Sequence, residues 1–118
     1  MKNRTIFIVA ALLISFSLLA APITITKRIK LDQFGYFPNS KKVAVISLSE
    51  NGFDFAAGDS YTPSTGPNQF QVRRWSDDGV AFTGTLVAWN GGAIHAQSGD
   101  KGWWFDFTSV TAAGSYYI

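Results

Sequence analysis

From Ile29 onward, the segments between turns alternate apolar and polar residues, and this alternation constrains the fold more than any other feature. A period of two is that of a β-strand with one buried face, whereas an amphipathic helix repeats every 3.6 residues. Gly and Pro interrupt the chain so often that a helix of about ten residues does not fit between them. The sequence therefore predicts an all-β fold.

The alternation predicts a series of short strands. The first runs from Ile29 to Gln33, and the nearly continuous apolar run from Val43 to Ile46 predicts a second that is central in its sheet or buried on both faces. We expect further strands at 70–75, 80–86 and 103–107 and from Tyr116 onward, and a long loop at 49–69. Turn residues recur about every ten positions, which is typical of a β-sandwich rather than of βαβ units.

The first 21 residues have the pattern of a secretory signal peptide. Lys2 and Arg4 form a basic start, an apolar run continues to Leu19, and Ala20 and Ala21 follow. A membrane anchor is the alternative, but the run is shorter than the roughly 20 residues that span a bilayer. We therefore expect a bacterial secreted or periplasmic protein, with a domain at 22–118 and no membrane association after cleavage.

Charge and cysteine content exclude several classes of function. The whole chain has 10 basic and 8 acidic residues, and two of the basic ones, Lys2 and Arg4, lie in the leader. Without the leader the positive and negative charges are equal in number, so the pI gives no reason to expect a nucleic-acid partner. The chain has no Cys and a single His, which removes disulfides and the usual zinc ligand sets. We expect no metal and no cofactor.

The last residues resemble a known structural motif. Gly114, Ser115 and Tyr116 precede Tyr117 and the apolar Ile118. A Tyr two positions before an inward residue is the local pattern of a tyrosine corner, which opens strand F of an immunoglobulin-like sandwich. We assign the corner to Tyr116, and we expect the domain to be incomplete, with its last strand beyond Ile118.

Two blocks of sequence are similar to the N-terminal immunoglobulin-like domain that precedes the catalytic barrel in family-nine glycoside hydrolases. The first runs from Ile29 through Asp32-Gln33, Gly35-Tyr36 and Pro38 to Val43. The second comprises Ser98-Gly99-Asp100, Trp104, Asp106-Phe107-Thr108 and Gly114-Ser115-Tyr116. The resemblance covers most of 29–118 and implies structural roles for Gly35, Tyr36, Asp106 and Tyr116.

The resemblance implies an accessory domain rather than an enzyme. The family's catalytic carboxylates lie in the barrel, so none can be assigned here. A glycosidase also needs two carboxyl groups at a defined separation, and the chain offers a single Glu, Glu50, in a predicted turn. We expect no catalytic residue in this chain, and the partner implied is a downstream catalytic domain that acts on cellulose or another β-glucan.

The four Trp residues leave two functions open. Trp103 shares a strand face with Phe105 and Phe107, which predicts a core position. We expect Trp75, Trp89 and Trp104 to contact either the catalytic domain or sugar rings, since aromatic faces suit both. The leading hypothesis is a domain that stabilises the catalytic barrel, and the alternative is an independent carbohydrate-binding module. An adhesin domain would use the same sandwich.

Overall fold

The computed structural model describes residues 25–51, 55, 63 and 69–118. Seven strands lie within them, namely β1 (Ile29–Lys30), β2 (Val43–Ser49), β3 (Phe70–Arg74), β4 (Val80–Gly84), β5 (Val87–Ala88), β6 (Asp100–Asp106) and β7 (Tyr116–Tyr117). A 3₁₀ turn at Trp89–Gly92 is the helical element of this part of the chain, and no described helix is long and apolar enough to cross a membrane. The predicted leader and most of the predicted loop at 49–69 lie outside the described residues.

The strands form two antiparallel sheets. One has the order β1-β2-β6-β5 and the other the order β4-β3-β7. Taken in chain order as A, B, C, C′, D, E and F, the strands give the sheets A-B-E-D and C′-C-F of an immunoglobulin-like sandwich. The all-β sandwich prediction is confirmed.

The centre of the larger sheet is the pair β2 and β6. Their antiparallel register joins Val43 to Asp106 and continues without a shift to Ser49 and Asp100. Alternate residues of both strands point between the sheets, where the core consists of Ala44, Ile46, Phe70, Val72, Leu86, Trp103, Phe105 and Phe107. The core position predicted for Trp103 is therefore the observed one.

Several predicted strands differ from the observed ones in their bounds. β2 continues to Ser49, beyond the predicted 43–46, and β6 runs from Asp100 to Asp106 rather than over 103–107. β1 ends at Lys30 rather than at Gln33, because the Asp32 carboxylate accepts the Phe34 N–H at 2.9 Å and bends the chain. The strand predicted at 80–86 ends at Gly84 as β4, and a separate strand, β5, begins at Val87 in the other sheet. Leu86 is buried between them, so the chain crosses the sandwich there.

Candidate functional surfaces

The outer face of the larger sheet carries a row of apolar side chains. The register places Trp104 of β6 opposite Val45 of β2 on one side and Val87 of β5 on the other. All three are exposed, and Trp104 retains 47% of its accessible surface, although its neighbours Trp103 and Phe105 are buried. This apolar row crosses three adjacent strands. Contiguous exposed apolar patches are in general a feature of interaction sites.

The outer face of the smaller sheet carries polar groups around one aromatic pair. Trp75 lies at the end of β3, 40% exposed, with its ring edge-to-face against Tyr117 at 5.9 Å. The Trp75 N–H donates to the Ser115 carbonyl at 2.9 Å. This pair and the charged groups beside it form a different kind of surface from the apolar row.

Those charged groups are held together by the β3–β4 hairpin. Arg73 donates from Nε to the Asp78 carboxylate at 2.5 Å, from Nη2 to the Asp78 carbonyl at 2.6 Å and from Nη1 to Gln71 at 2.6 Å. The Tyr117 hydroxyl donates to the same Asp78 oxygen. Asp78 has the left-handed φ of 57°, a backbone conformation that Asp tolerates in turns.

The hairpin ion pairs shift the pKa values of their members. The Arg73 hydrogen bond, followed by that of Tyr117, lowers the pKa of Asp78, and the same contact with Asp78 raises the pKa of the Tyr117 hydroxyl. The Arg74 guanidinium and the Gly79 N–H lower the pKa of Asp77. Both carboxylates therefore stay ionised and paired at neutral pH, a state suited to holding the turn.

The remaining Trp of the predicted set lies elsewhere. Trp89 is half-buried in the 3₁₀ turn, with its ring 5.5 Å from that of His95 and its Cβ beside Gly102 of β6. The structure thus separates the three candidates: Trp104 belongs to one outer face, Trp75 to the other and Trp89 to a connection.

Several carboxylates of the described chain hold turns and ion pairs. Glu50 pairs with Lys101 at 2.9 Å between Oε1 and Nζ. The Asp106 carboxylate accepts the Thr108 N–H at 2.9 Å. Hydrogen bonds from the Thr108 side chain and then from its N–H lower the pKa of Asp106. Within the described residues, no group of three His, Cys, Asp or Glu side chains is placed to hold a metal ion.

The residues given structural roles lie at turns beside the core. The Tyr36 hydroxyl donates to the Val43 carbonyl at 3.1 Å, and its ring packs edge-on against Phe107 at 5.4 Å. The Tyr116 hydroxyl donates to the Ala112 carbonyl at 3.0 Å, four residues upstream. A hydroxyl that bonds to backbone a few residues upstream is the contact that defines a tyrosine corner.

No structural or binding role was predicted from the sequence for three residues of the connection between β1 and β2, although Lys42 lies in the first block of the family resemblance. Lys42 is buried, while Phe34 and Phe37 are almost fully exposed. Two apolar residues flanking Gly35-Tyr36 inside a turn were the available signal, since turns are usually polar. Whether Lys42, Phe34 and Phe37 are buried could not be predicted from the sequence, because the groups that surround the turn come from distant parts of the chain.

The sequence of these strands also matches a known domain family. Residues 24–118 match the family described as the cellulase N-terminal Ig-like domain. The chain belongs to this family. Comparisons with curated proteins and with solved structures found no significant match. The predicted resemblance to the immunoglobulin-like domain of cellulases is therefore confirmed, and it extends through β7.

Proposed function

We propose that this cellulase N-terminal Ig-like domain is a non-catalytic accessory domain that packs on and stabilises the catalytic domain following it in a secreted parent protein, a family-nine polysaccharide hydrolase. The family description supports a cellulase as the parent. The apolar row of Val45, Trp104 and Val87 is the observation that carries the proposed role.

The row favours a protein partner over a sugar. A sugar ring offers hydroxyl groups along its edges, so sites for it combine aromatic faces with polar partners. Valine side chains flank Trp104 on both adjacent strands, and neither can donate or accept a hydrogen bond. A flat apolar surface of this kind gains most free energy by exchanging water for the side chains of another protein.

Substitution of Trp104 in the parent protein tests the proposal. We expect Trp104→Ala to lower the melting temperature of the catalytic domain, because a central interface anchor contributes about 2 kcal/mol or more. Trp75→Ala is the matched control, since it removes an indole of similar exposure, 40% against 47%, beside the other sheet. A catalytic domain that melts alike in wild type and in Trp104→Ala, or that responds only to Trp75→Ala, would contradict docking through the row.

The non-catalytic part of the proposal rests on how the carboxylates are used. Glu50, Asp77 and Asp78 are each paired with a cation. A glycosidase requires one carboxyl group free to protonate the leaving oxygen and a second positioned as nucleophile or base.

We expect residues 22–118 alone to release no reducing sugar from soluble or insoluble β-glucan. The assay is reducing-sugar release by the purified domain, with Glu50→Gln as the matched variant. Hydrolysis that persists through purification and disappears in Glu50→Gln would overturn the non-catalytic role.

Carbohydrate binding is the second candidate, and the Trp75 surface favours it. Trp75 and Tyr117 provide aromatic area, and Arg73, Asp78 and Gln71 provide planar polar groups beside it. The test is retention of the domain on insoluble cellulose, compared among the wild type and the four single Trp→Ala variants. Retention lost only in Trp75→Ala would assign sugar binding to this face, whereas absence of retention in the wild type would exclude it.

A further inference from the structure

The connection between β1 and β2 presents two aromatic rings to solvent. Phe34 is 91% exposed and Phe37 is 82% exposed, more than any other aromatic residue in the described chain. Each ring carries enough apolar area to dominate the energetics of an interface when it is buried. We refer to the connection at 31–42 that carries this pair as the Phe loop.

The first half of the Phe loop is fixed by backbone contacts. Asp32 accepts two hydrogen bonds, one at its carboxylate from the Phe34 N–H at 2.9 Å and one at its carbonyl from the Gly35 N–H at 3.2 Å. Gly35 has a φ of +80°, which L side chains rarely adopt. The Tyr36 hydroxyl accepts the Asp32 N–H at 3.1 Å and donates to Val43, so it ties the turn to the start of β2.

The second half is fixed by a buried lysine. Lys42 is 4% exposed, and its Nζ donates to the carbonyls of Pro38 at 2.6 Å and Ser40 at 3.0 Å. Ser40 in turn donates to the Phe37 carbonyl from its N–H at 3.1 Å and from its hydroxyl at 2.9 Å. Burying an ammonium group is costly unless its donors are satisfied, so this arrangement holds the loop in one shape.

The Phe loop lies at the end of the sandwich where β7 begins. A groove of about 410 Å³ is lined on one side by Leu31 and Gly35 and on the other by Val110 and Tyr116. β7 runs antiparallel to β3 away from this end. In an immunoglobulin-like sandwich the next strand returns antiparallel to it, so a domain that follows that strand starts beside Phe34 and Phe37.

We propose that Phe34 and Phe37 are aromatic anchors that insert into apolar pockets on the catalytic domain of the parent protein. This inference rests on the proposed function. It adds a second contact with the catalytic domain to the one proposed for the apolar row. A loop fixed on both sides loses little conformational entropy on binding, which favours affinity. Linkage in one chain keeps the partner at a high effective concentration, so two anchors suffice for a stable contact.

Hydroxyl-radical footprinting of the intact parent protein tests this inference. Phe55 is the matched control, because it is a 63% exposed Phe outside the loop. We expect Phe34 and Phe37 to be oxidised several-fold more slowly than Phe55, the reverse of their order of exposure in the domain. Oxidation of the two rings as fast as that of Phe55 would overturn the inference.

The same footprint separates the two proposals. Protection of Trp104 with full oxidation of Phe34 and Phe37 leaves the proposed function in place and overturns the Phe loop contact. Full oxidation of all three rings overturns both. Protection of the Phe loop that disappears on dilution would identify a second copy of the chain as the partner and would also overturn the contact.

Variants of the loop provide a second measurement in the parent protein. Phe34→Ala combined with Phe37→Ala is expected to shorten the half-life of the catalytic activity at elevated temperature several-fold, whereas Phe55→Ala leaves it unchanged. Gly35→Ala keeps both rings but strains the turn, and we expect it to shorten the half-life and to increase oxidation of Phe34. Half-lives that match that of the wild type in both loop variants would contradict the inference.

Discussion

Tyrosine hydroxyls hold two connections of the sandwich through hydrogen bonds to backbone. Tyr36 bonds to the Val43 carbonyl, and Tyr116 bonds to the Ala112 carbonyl. The ring of Tyr116 also packs over Gly114, where an added Cβ would lie 3.4 Å from Cε2. The connections have no strand pairing, so these tyrosine side chains supply hydrogen bonds to their backbone instead.

Removing the corner hydroxyl has a predictable cost. We expect Tyr116→Phe to reduce the free energy of unfolding by about 1 kcal/mol, because the Ala112 carbonyl loses its partner while the ring stays packed. The measurement is denaturant unfolding of the domain, prepared together with the further strand that we expect after Ile118. An unchanged free energy of unfolding would contradict the tyrosine-corner assignment.

The β3–β4 hairpin makes stability depend on pH. The folded-state pKa of Asp78 is lowered by Arg73 and Tyr117, so its ionised form stabilises the fold above the unfolded-state pKa of about 4, and the contribution is lost as pH falls through the folded value. Asp78→Asn, which tolerates the left-handed backbone, should melt earlier than wild type at neutral pH. The two melting curves should converge at low pH. Melting temperatures that stay equally far apart at every pH would contradict this account.

The strands were predictable to different degrees, for reasons that concern neighbours along the chain. The centre of β6 was predicted because Trp103 and Phe105 alternate with exposed positions, although the strand begins at Asp100 rather than at Trp103 and ends at Asp106 rather than at Phe107. The crossing between β4 and β5 was not, because the apolar pattern continues through Leu86 while the backbone changes sheets. Pairing with a distant strand, here β6, decides where such a segment divides.

Close packing at the end of β4 leaves little room for a side chain at Gly84. A Cβ at Gly84 would lie 2.7 Å from Phe82 and 2.9 Å from Phe105, whereas one at Gly102 would meet its nearest neighbour at 3.7 Å. We expect Gly84→Ala to destabilise the domain by about 1–3 kcal/mol through overpacking.

Gly102→Ala is the matched strand variant, and we expect it to be tolerated. The free energies of unfolding of Gly84→Ala and Gly102→Ala, measured under the same conditions, test this expected difference. Equal stabilities would show that the two sheets do not approach each other at Gly84 as described.

The candidate surfaces were less predictable than the fold because they depend on the register between strands. Alternation along β6 predicted that Trp104 faces away from Trp103, but its apolar neighbours Val45 and Val87 come from two other strands. The exposure of the Phe loop depends similarly on Lys42 and Tyr36. At the scale of the whole molecule, these features leave two apolar surfaces for a partner to cover.

Calorimetry of the parent protein, with and without residues 25–118, tests most directly whether the domain stabilises its catalytic partner. Loss of the whole interface, to which Trp104 alone contributes about 2 kcal/mol or more, should lower the melting temperature of the catalytic domain by about 5 °C or more. We expect this fall on deletion, and a smaller one in Trp104→Ala. A catalytic domain that melts at the same temperature with and without residues 25–118 would contradict the stabilising role.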